Sequence, residues 1–246
     1  MWTDAVDLRD FYATSLGRVA GRVIANQVRQ IWPDVKGMNV LGLGFATPFL
    51  NPFRNEAARL LAAMPAQQGV LPWPTEGRNL TTLVDEADLP FPDLSMDRVL
   101  LVHGLECAEP LRPMMREIWR VLAGGGRLLV VVPNRRGLWA RFERSPFGHG
   151  RPYSSGQLSR ALRDCLFTPA QSYPALFVPP LRSRTVLSTA RAWETLGQRW
   201  FPAFGGVVMI EATKQIYAGH LATPLPKRAK GYLPLAQRRT TPQARG

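Results

Sequence analysis

The chain has 246 residues, 46% of them hydrophobic, and 31 Lys and Arg against 18 Asp and Glu, a formal net charge of +13. That length buries one large core without requiring a second domain. The charge attracts polyanions, nucleic acid and anionic lipid alike, without choosing among them, and the longest apolar runs, Val99 to Val102 and Arg127 to Pro133, fall far short of the roughly 18 residues a membrane helix needs.

Asp4, Asp7 and Asp10 precede any apolar run, the reverse of the basic start and apolar centre of a secretory signal, so the chain is expected to be cytoplasmic. Apolar residues at Leu8, Phe11, Tyr12, Leu16, Val19, Val23, Val28 and Ile31 recur at helical spacing until Pro33, which predicts one long amphipathic helix broken near Gly17 or Gly21. Met38 to Leu43 reads as a buried strand closing on Gly42 and Gly44. A helix is expected over Pro52 to Leu61, with Leu60 to Met64 either its end or a second strand. Gly69 to Asn79 is rich in Pro and Gly and reads as loop.

Leu80 to Val84 and Arg98 to Val102 follow as a third and a fourth strand, the latter of the non-alternating kind found inside parallel sheets. Pro110 to Leu122 has helical spacing and is expected to end in a glycine cap at Gly124 to Gly126. Arg127 to Val132 is the clearest strand. Beyond Asn134 a basic, aromatic segment leads to a helix over Ser155 to Asp164, apolar proline-rich stretches around Tyr173 to Pro180, a helix around Thr189 to Trp200 and a last strand from Val207 to Ala212. Alternating strands and helices predict an α/β fold, a mostly parallel sheet with helices on both faces and its ligand site at the carboxyl ends of the strands.

Three regions are therefore expected: a helical segment 1–36, a main domain 37–217 with a lid or insertion at about 134–203, and a tail 218–246. No acidic residue follows Glu211, while Lys227, Arg228, Lys230, Arg238, Arg239 and Arg245 do, so the tail is expected to be basic and disordered. Nucleic acid is a possible partner on charge alone. Cys107 and Cys165 lack the Cys and His companions of a zinc site and are too few for a disulfide framework, so no metal is expected.

The stretch Asp85 to Asn134 carries ordered pieces of a recognisable pattern: the turn Leu89, Pro90, Phe91; the strand entry Ser95, Met96, Asp97; the pair Leu105, Glu106; and Arg116 to Ile118 and Arg120 to Leu122 before a glycine turn. It resembles the second half of a type 11 class I methyltransferase domain with a Rossmann-like fold. The resemblance implies S-adenosylmethionine as cofactor and a small-molecule or macromolecular methyl acceptor. The first strand and loop, Val40 to Pro48, then stand in the place of the cofactor loop.

In that loop Gly44 is the one family glycine kept; Gly42 stands where an acid is usual, and Ala46 and Pro48 replace glycines. Cofactor-binding candidates under this resemblance are Gly42, Gly44, Phe45, Ala46, Gln67, Asp85, Glu86, Leu89 and His103. Gln67 or Gln68 would take the place of the acid that holds the ribose, and Asp85, or Glu86 in the next register, would meet the adenine amino group. Leu89, Pro90 and Phe91 would wall the adenine.

His103 could be a wall, a hydrogen-bond partner or a base. Glu106 is expected to pack near the start of the next helix. Acceptor-side candidates are His103 together with Arg135, Arg136, Trp139, Phe147, His149 and Tyr153, with His103, His149 and Tyr153 as catalytic candidates. The departures in the loop keep a second reading open, a non-catalytic binding or scaffold protein of the same fold.

Overall fold

A computed structural model of the chain describes residues 3–109 and 111–215; the expected tail of 218–246 lies outside them. The N-terminal helix pattern resolves into two helices, α1 at Ala5–Ala13 and α2 at Ser15–Ile31. The break falls at Thr14, ahead of either glycine. Its backbone is extended (ψ 161°), its hydroxyl donates to Phe11 O at 2.7 Å, and the same oxygen accepts from Gly17 N at 2.9 Å, capping α2. Gly17 is what lets the two helices fold together, since a Cβ there would lie 1.9 Å from Phe11 O. Asp4 caps α1 by accepting from Val6 N at 2.7 Å.

The sheet has seven strands: β1 Asn39–Gly44, β2 Arg59–Pro65, β3 Thr81–Val84, β4 Met96–Val102, β5 Leu122–Pro133, β6 Phe167–Ala175 and β7 Val207–Lys214. Their order across the sheet is β3-β2-β1-β4-β5-β7-β6, and β7 runs antiparallel to both its neighbours. The first five pair in parallel. Successive residues of the central strands serve two cores. Leu41, Leu43, Leu128, Val130 and Val132 face α4 (Leu111–Val121) and α5 (Ser155–Asp164), whereas Val40, Leu129 and Val131 face α2 and the short α3 at Thr47–Leu50. Burial on both faces explains why these strands read as unbroken apolar runs rather than as alternating ones.

Two expectations are corrected. No helix spans Pro52 to Leu61: the helical turns come directly after β1, at Thr47–Leu50 and Asn51–Phe53, and Leu60 to Met64 is strand. Pro48 and Pro52 sit at the first positions of those turns, where a missing N–H costs nothing. Gly124 to Gly126 are not a helix cap, because α4 ends at Val121 and β5 begins at Leu122. The glycines absorb a bulge in which the partner of Met96 is Leu122 and that of Arg98 is Arg127.

The proline-rich Tyr173 region belongs to the sheet-edge strand β6, where prolines are tolerated because one side of the strand has no ladder to feed. The stretch 134–203, expected as a lid or insertion, supplies α5 and β6. It also holds two further helices, α6 at Arg184–Ser188 and α7 at Ala190–Trp200.

Candidate functional site at the strand ends

The carboxyl ends of β1, β2 and β4 meet at Gly44, Pro65 and Val102. Gly44 adopts φ +76°, and a Cβ there would lie 2.3 Å from Val102 O. Its glycine requirement is thus met by the neighbouring strand's backbone, so substitution strains the fold before it can obstruct a ligand. Phe45 follows, its N–H bonded to Val102 O at 2.9 Å, and Phe45 and Ala46 are both buried.

One helix covers this ground. Ala5, Leu8 and Tyr12 lie on one face of α1, and Ala5 and Leu8 form a small core of their own with Phe45 and Met64. Tyr12 stacks on Phe45 (centroids 5.9 Å apart, planes at 10°) and meets Phe49 edge-on. Ala5 N donates to Gln68 O at 2.8 Å. Four surface cavities among the described residues lie elsewhere, none of them lined by Gly44, Phe45, Gln68 or His103.

A line of polar groups runs beneath the helix. The Tyr12 hydroxyl lies 2.7 Å from His103 Nε2, and His103 Nδ1 lies 3.3 Å from Glu106 Oε1. His103 (3% exposed) and Glu106 (4%) are buried, and both carboxylate oxygens lack a hydrogen-bond partner among the described residues. Gln68, equally buried, donates from Nε2 to His103 O at 2.9 Å and leaves its Oε1 unpartnered. His103 itself sits at φ +50°, a left-handed conformation that non-glycine residues adopt mainly where surrounding contacts enforce it.

Burial first, and the charge of Glu106 second, hold the Tyr12 phenol well above its ordinary pKa, so it stays a neutral donor across the accessible range. With Glu106 behind Nδ1, the imidazole proton belongs on that nitrogen, and Nε2 accepts from Tyr12. Burial, reinforced by the same carboxylate, pushes the neighbouring Cys107 thiol up to about 12. Phe147 closes the far side of His103 with ring centroids 5.2 Å apart, and Arg151 N bonds Glu106 O at 2.9 Å.

The residues singled out from the sequence divide. Gly42, Gly44, Phe45, Ala46 and His103 come together at the strand ends with Phe147, and Leu89 is buried in the core of the α4 face. Gln67 is exposed while Gln68 points inward, and the last inward side chain of β2 is that of Met64. Asp85 is exposed and caps its own turn, accepting from Ala87 N at 2.8 Å; Glu86 is half-buried beside it. Trp139 is buried and bonds Val178 O through Nε1.

Arg135, Arg136 and His149 are exposed, and Tyr153 pairs with Asn134 through its backbone. No hydrogen bond joins His149 or Tyr153 to His103 among the described residues. The sequence reading missed Tyr12, which its helical spacing assigned to packing, and gave Glu106 only a place near a helix start. The signal available for Glu106 was a carboxylate three residues after a histidine in an otherwise apolar run.

Residues 49–130 match the model of a family described as a methyltransferase domain. A demethylmenaquinone methyltransferase of Thermus thermophilus is 31% identical over 128 residues, and the chain spans about half the length of that relative, as the match spans 50% of each. Among solved structures, a Thermotoga maritima protein described as an S-adenosylmethionine-dependent methyltransferase and possible histamine N-methyltransferase is similar at TM-score 0.59. It is 17% identical, over 85% of this chain and 96% of that one. A putative methyltransferase from Haloferax volcanii, crystallised with its Trm112 activator, gives TM-score 0.57 at 19% identity over 87% and 100%. The SpnF cyclase gives 0.52 at 20% over 80% and 82%, so this fold also carries a reaction named otherwise.

Proposed function

From the methyltransferase-domain match over residues 49–130 and the fold shared with S-adenosylmethionine-dependent methyltransferases, we propose that the chain is a class I methyltransferase that transfers the cofactor's methyl group to an acceptor at the ends of β1, β2 and β4, and that α1 withdraws to admit the cofactor. One observation carries this reading: the covered ground is not an inert core. Three buried acceptor atoms, Glu106 Oε1 and Oε2 and Gln68 Oε1, stand there without hydrogen bonds among the described residues, an arrangement that disfavours the closed form and suits a ligand bearing positive charge.

With α1 in place the residues leave no room for the cofactor, since Ala5, Leu8 and Tyr12 fill it. With α1 withdrawn they fit in a particular way. Gly42 and Met64 supply no carboxylate at the ends of β1 and β2, so Glu106 and Gln68 are the groups left to hold the cofactor's cationic part. Bound S-adenosylmethionine would supply a methyl already activated on a sulfonium. The protein's task is then to align an acceptor and to take up its proton where there is one.

His103 Nε2, freed from Tyr12, can receive that proton, and Glu106 behind Nδ1 stabilises the resulting imidazolium. Phe11 and Phe147, 6.1 Å apart between ring centroids, give the acceptor side an aromatic lining. An apolar ring acceptor, of the kind named for the Thermus relative, is therefore the class to try first.

Calorimetry with S-adenosylhomocysteine tests the reading. Tyr12→Phe removes the hydroxyl that ties α1 to His103 without touching Glu106 or Gln68. A neutral hydrogen bond contributes about 0.5 to 1.5 kcal/mol, so the variant should bind about two- to tenfold more tightly than wild type. Unchanged affinity would show that α1 does not gate the site. Absence of binding to both proteins at millimolar ligand would remove the methyltransferase reading and leave the non-catalytic one.

A further inference from the structure

Six of the twelve large apolar side chains exposed on the described surface fall between residues 181 and 204: Leu181, Trp193, Leu196, Trp200, Phe201 and Phe204. Scattered exposed apolar residues need no explanation, but a cluster does. Trp193, Leu196 and Trp200 lie within about 60° of one another around α7, and Phe201 and Phe204 follow in the next turn. Their exposures, from 40% at Trp193 to 65% at Trp200, leave a large part of each side chain uncovered among the described residues.

The charges beside them are of one sign. Arg182, Arg184 and Arg199 are all exposed. The single acid between residues 165 and 210, Glu194, turns inward, its carboxylate accepting from the N–H groups of Leu176, Phe177 and Val178 at 2.6 to 3.2 Å. No acid therefore offsets the arginines on the outer face.

We propose that this face docks on an anionic lipid bilayer, with the aromatic side chains seated at headgroup level and the arginines on lipid phosphates. Trp and Phe beside Arg on one side of a short amphipathic helix is the chemistry of an interfacial anchor, and Arg reaches phosphate oxygens with its fork while its stem stays among apolar neighbours. A second copy of the chain, with its own net charge of +13, is repelled from the face.

The full chain is sedimented with vesicles of phosphatidylcholine alone and with vesicles containing about one-third phosphatidylglycerol. Binding is expected to the anionic vesicles only, and Trp200→Ser with Phe201→Ser should weaken it by about tenfold or more at unchanged net charge. Brominated lipid in the anionic vesicles tests the wild type independently of any variant. Trp193 and Trp200 should be quenched, while the buried Trp32 and Trp139 persist as a residual unquenched fraction.

No anionic binding, equal binding by the double variant, or unquenched emission would each overturn the proposal. A wild-type dimer that the same substitutions abolish would assign the face to a second copy. Nucleic-acid binding lost in the double variant, without vesicle binding, would assign it to stacked bases.

Discussion

Glu106 is the residue whose cost and use separate most clearly. In the closed form its carboxylate is buried with no hydrogen bond among the described residues, and His103 Nδ1 lies 3.3 Å from Oε1. Glu106→Gln removes the buried charge while keeping the volume, so the variant should melt higher, by a few degrees for roughly 1 kcal/mol in a domain of this size. The same change should weaken S-adenosylhomocysteine binding if the carboxylate holds the cofactor. A melting temperature that falls would show that the ion pair with His103 stabilises the closed form. Gly44 offers no comparable test, because a side chain there meets the carbonyl of Val102 first.

Among the elements, the connection from β3 to β4 is held by one helix. Glu117 on α4 accepts from Leu89 N at 3.0 Å and from Arg120, and Arg120 donates to the carbonyls of Leu89 and Phe91 and to Asp93. The Leu89, Pro90, Phe91 turn is thereby clamped to α4. Its contacts with Glu117 and Arg120 are structural. The Arg120 hydrogen bonds, more than its charge, hold the Glu117 carboxyl below the ordinary range. A lowered folded-state pKa gives stability that is complete above the unfolded value and is lost as pH falls through the folded one. Glu117→Gln should therefore lower the melting temperature near neutral pH, and the difference from wild type should shrink below about pH 4. A difference independent of pH would show that the carboxyl charge is not what clamps the turn.

At the scale of the molecule, α2, β5 and β7 are joined at Glu211, 6% exposed. Trp32 Nε1 donates to its Oε1 at 2.9 Å and Arg127 Nη1 to its Oε2 at 2.8 Å. These partners lie 179 and 84 positions away in the chain, so the carboxylate fastens the first third of the sequence to the last strand. Glu211→Ala leaves a buried indole N–H and half an ion pair, and should cost about 1 to 3 kcal/mol in denaturant unfolding. Glu211→Gln keeps an acceptor for Trp32 and should cost roughly half as much. Equal losses in the two would locate the energy in the Arg127 charge. Arg127 is partly exposed, which favours the smaller figure.

Local physics made much of this fold legible in the sequence. β1, β4 and β5 announced themselves because burial on both faces demands unbroken apolar runs, and α5 falls on the expected Ser155 to Asp164. The placement of Gly42, Gly44, Ala46 and His103 at the strand ends followed from topology alone, since parallel strands bring their carboxyl ends together. Tertiary structure decided the rest. The proline-bearing β6 is a strand only because β7 offers it an edge. Gln67 lies beyond β2 because the strand ends at Pro65, where its pairing with β3 stops at Val84. Above all, Tyr12 meets His103 across 91 positions of sequence. Helical spacing specifies that Tyr12 lies on the buried face of α1, but not that this face covers the strand ends, because periodicity orients a side chain relative to its own helix and only packing says what that helix meets.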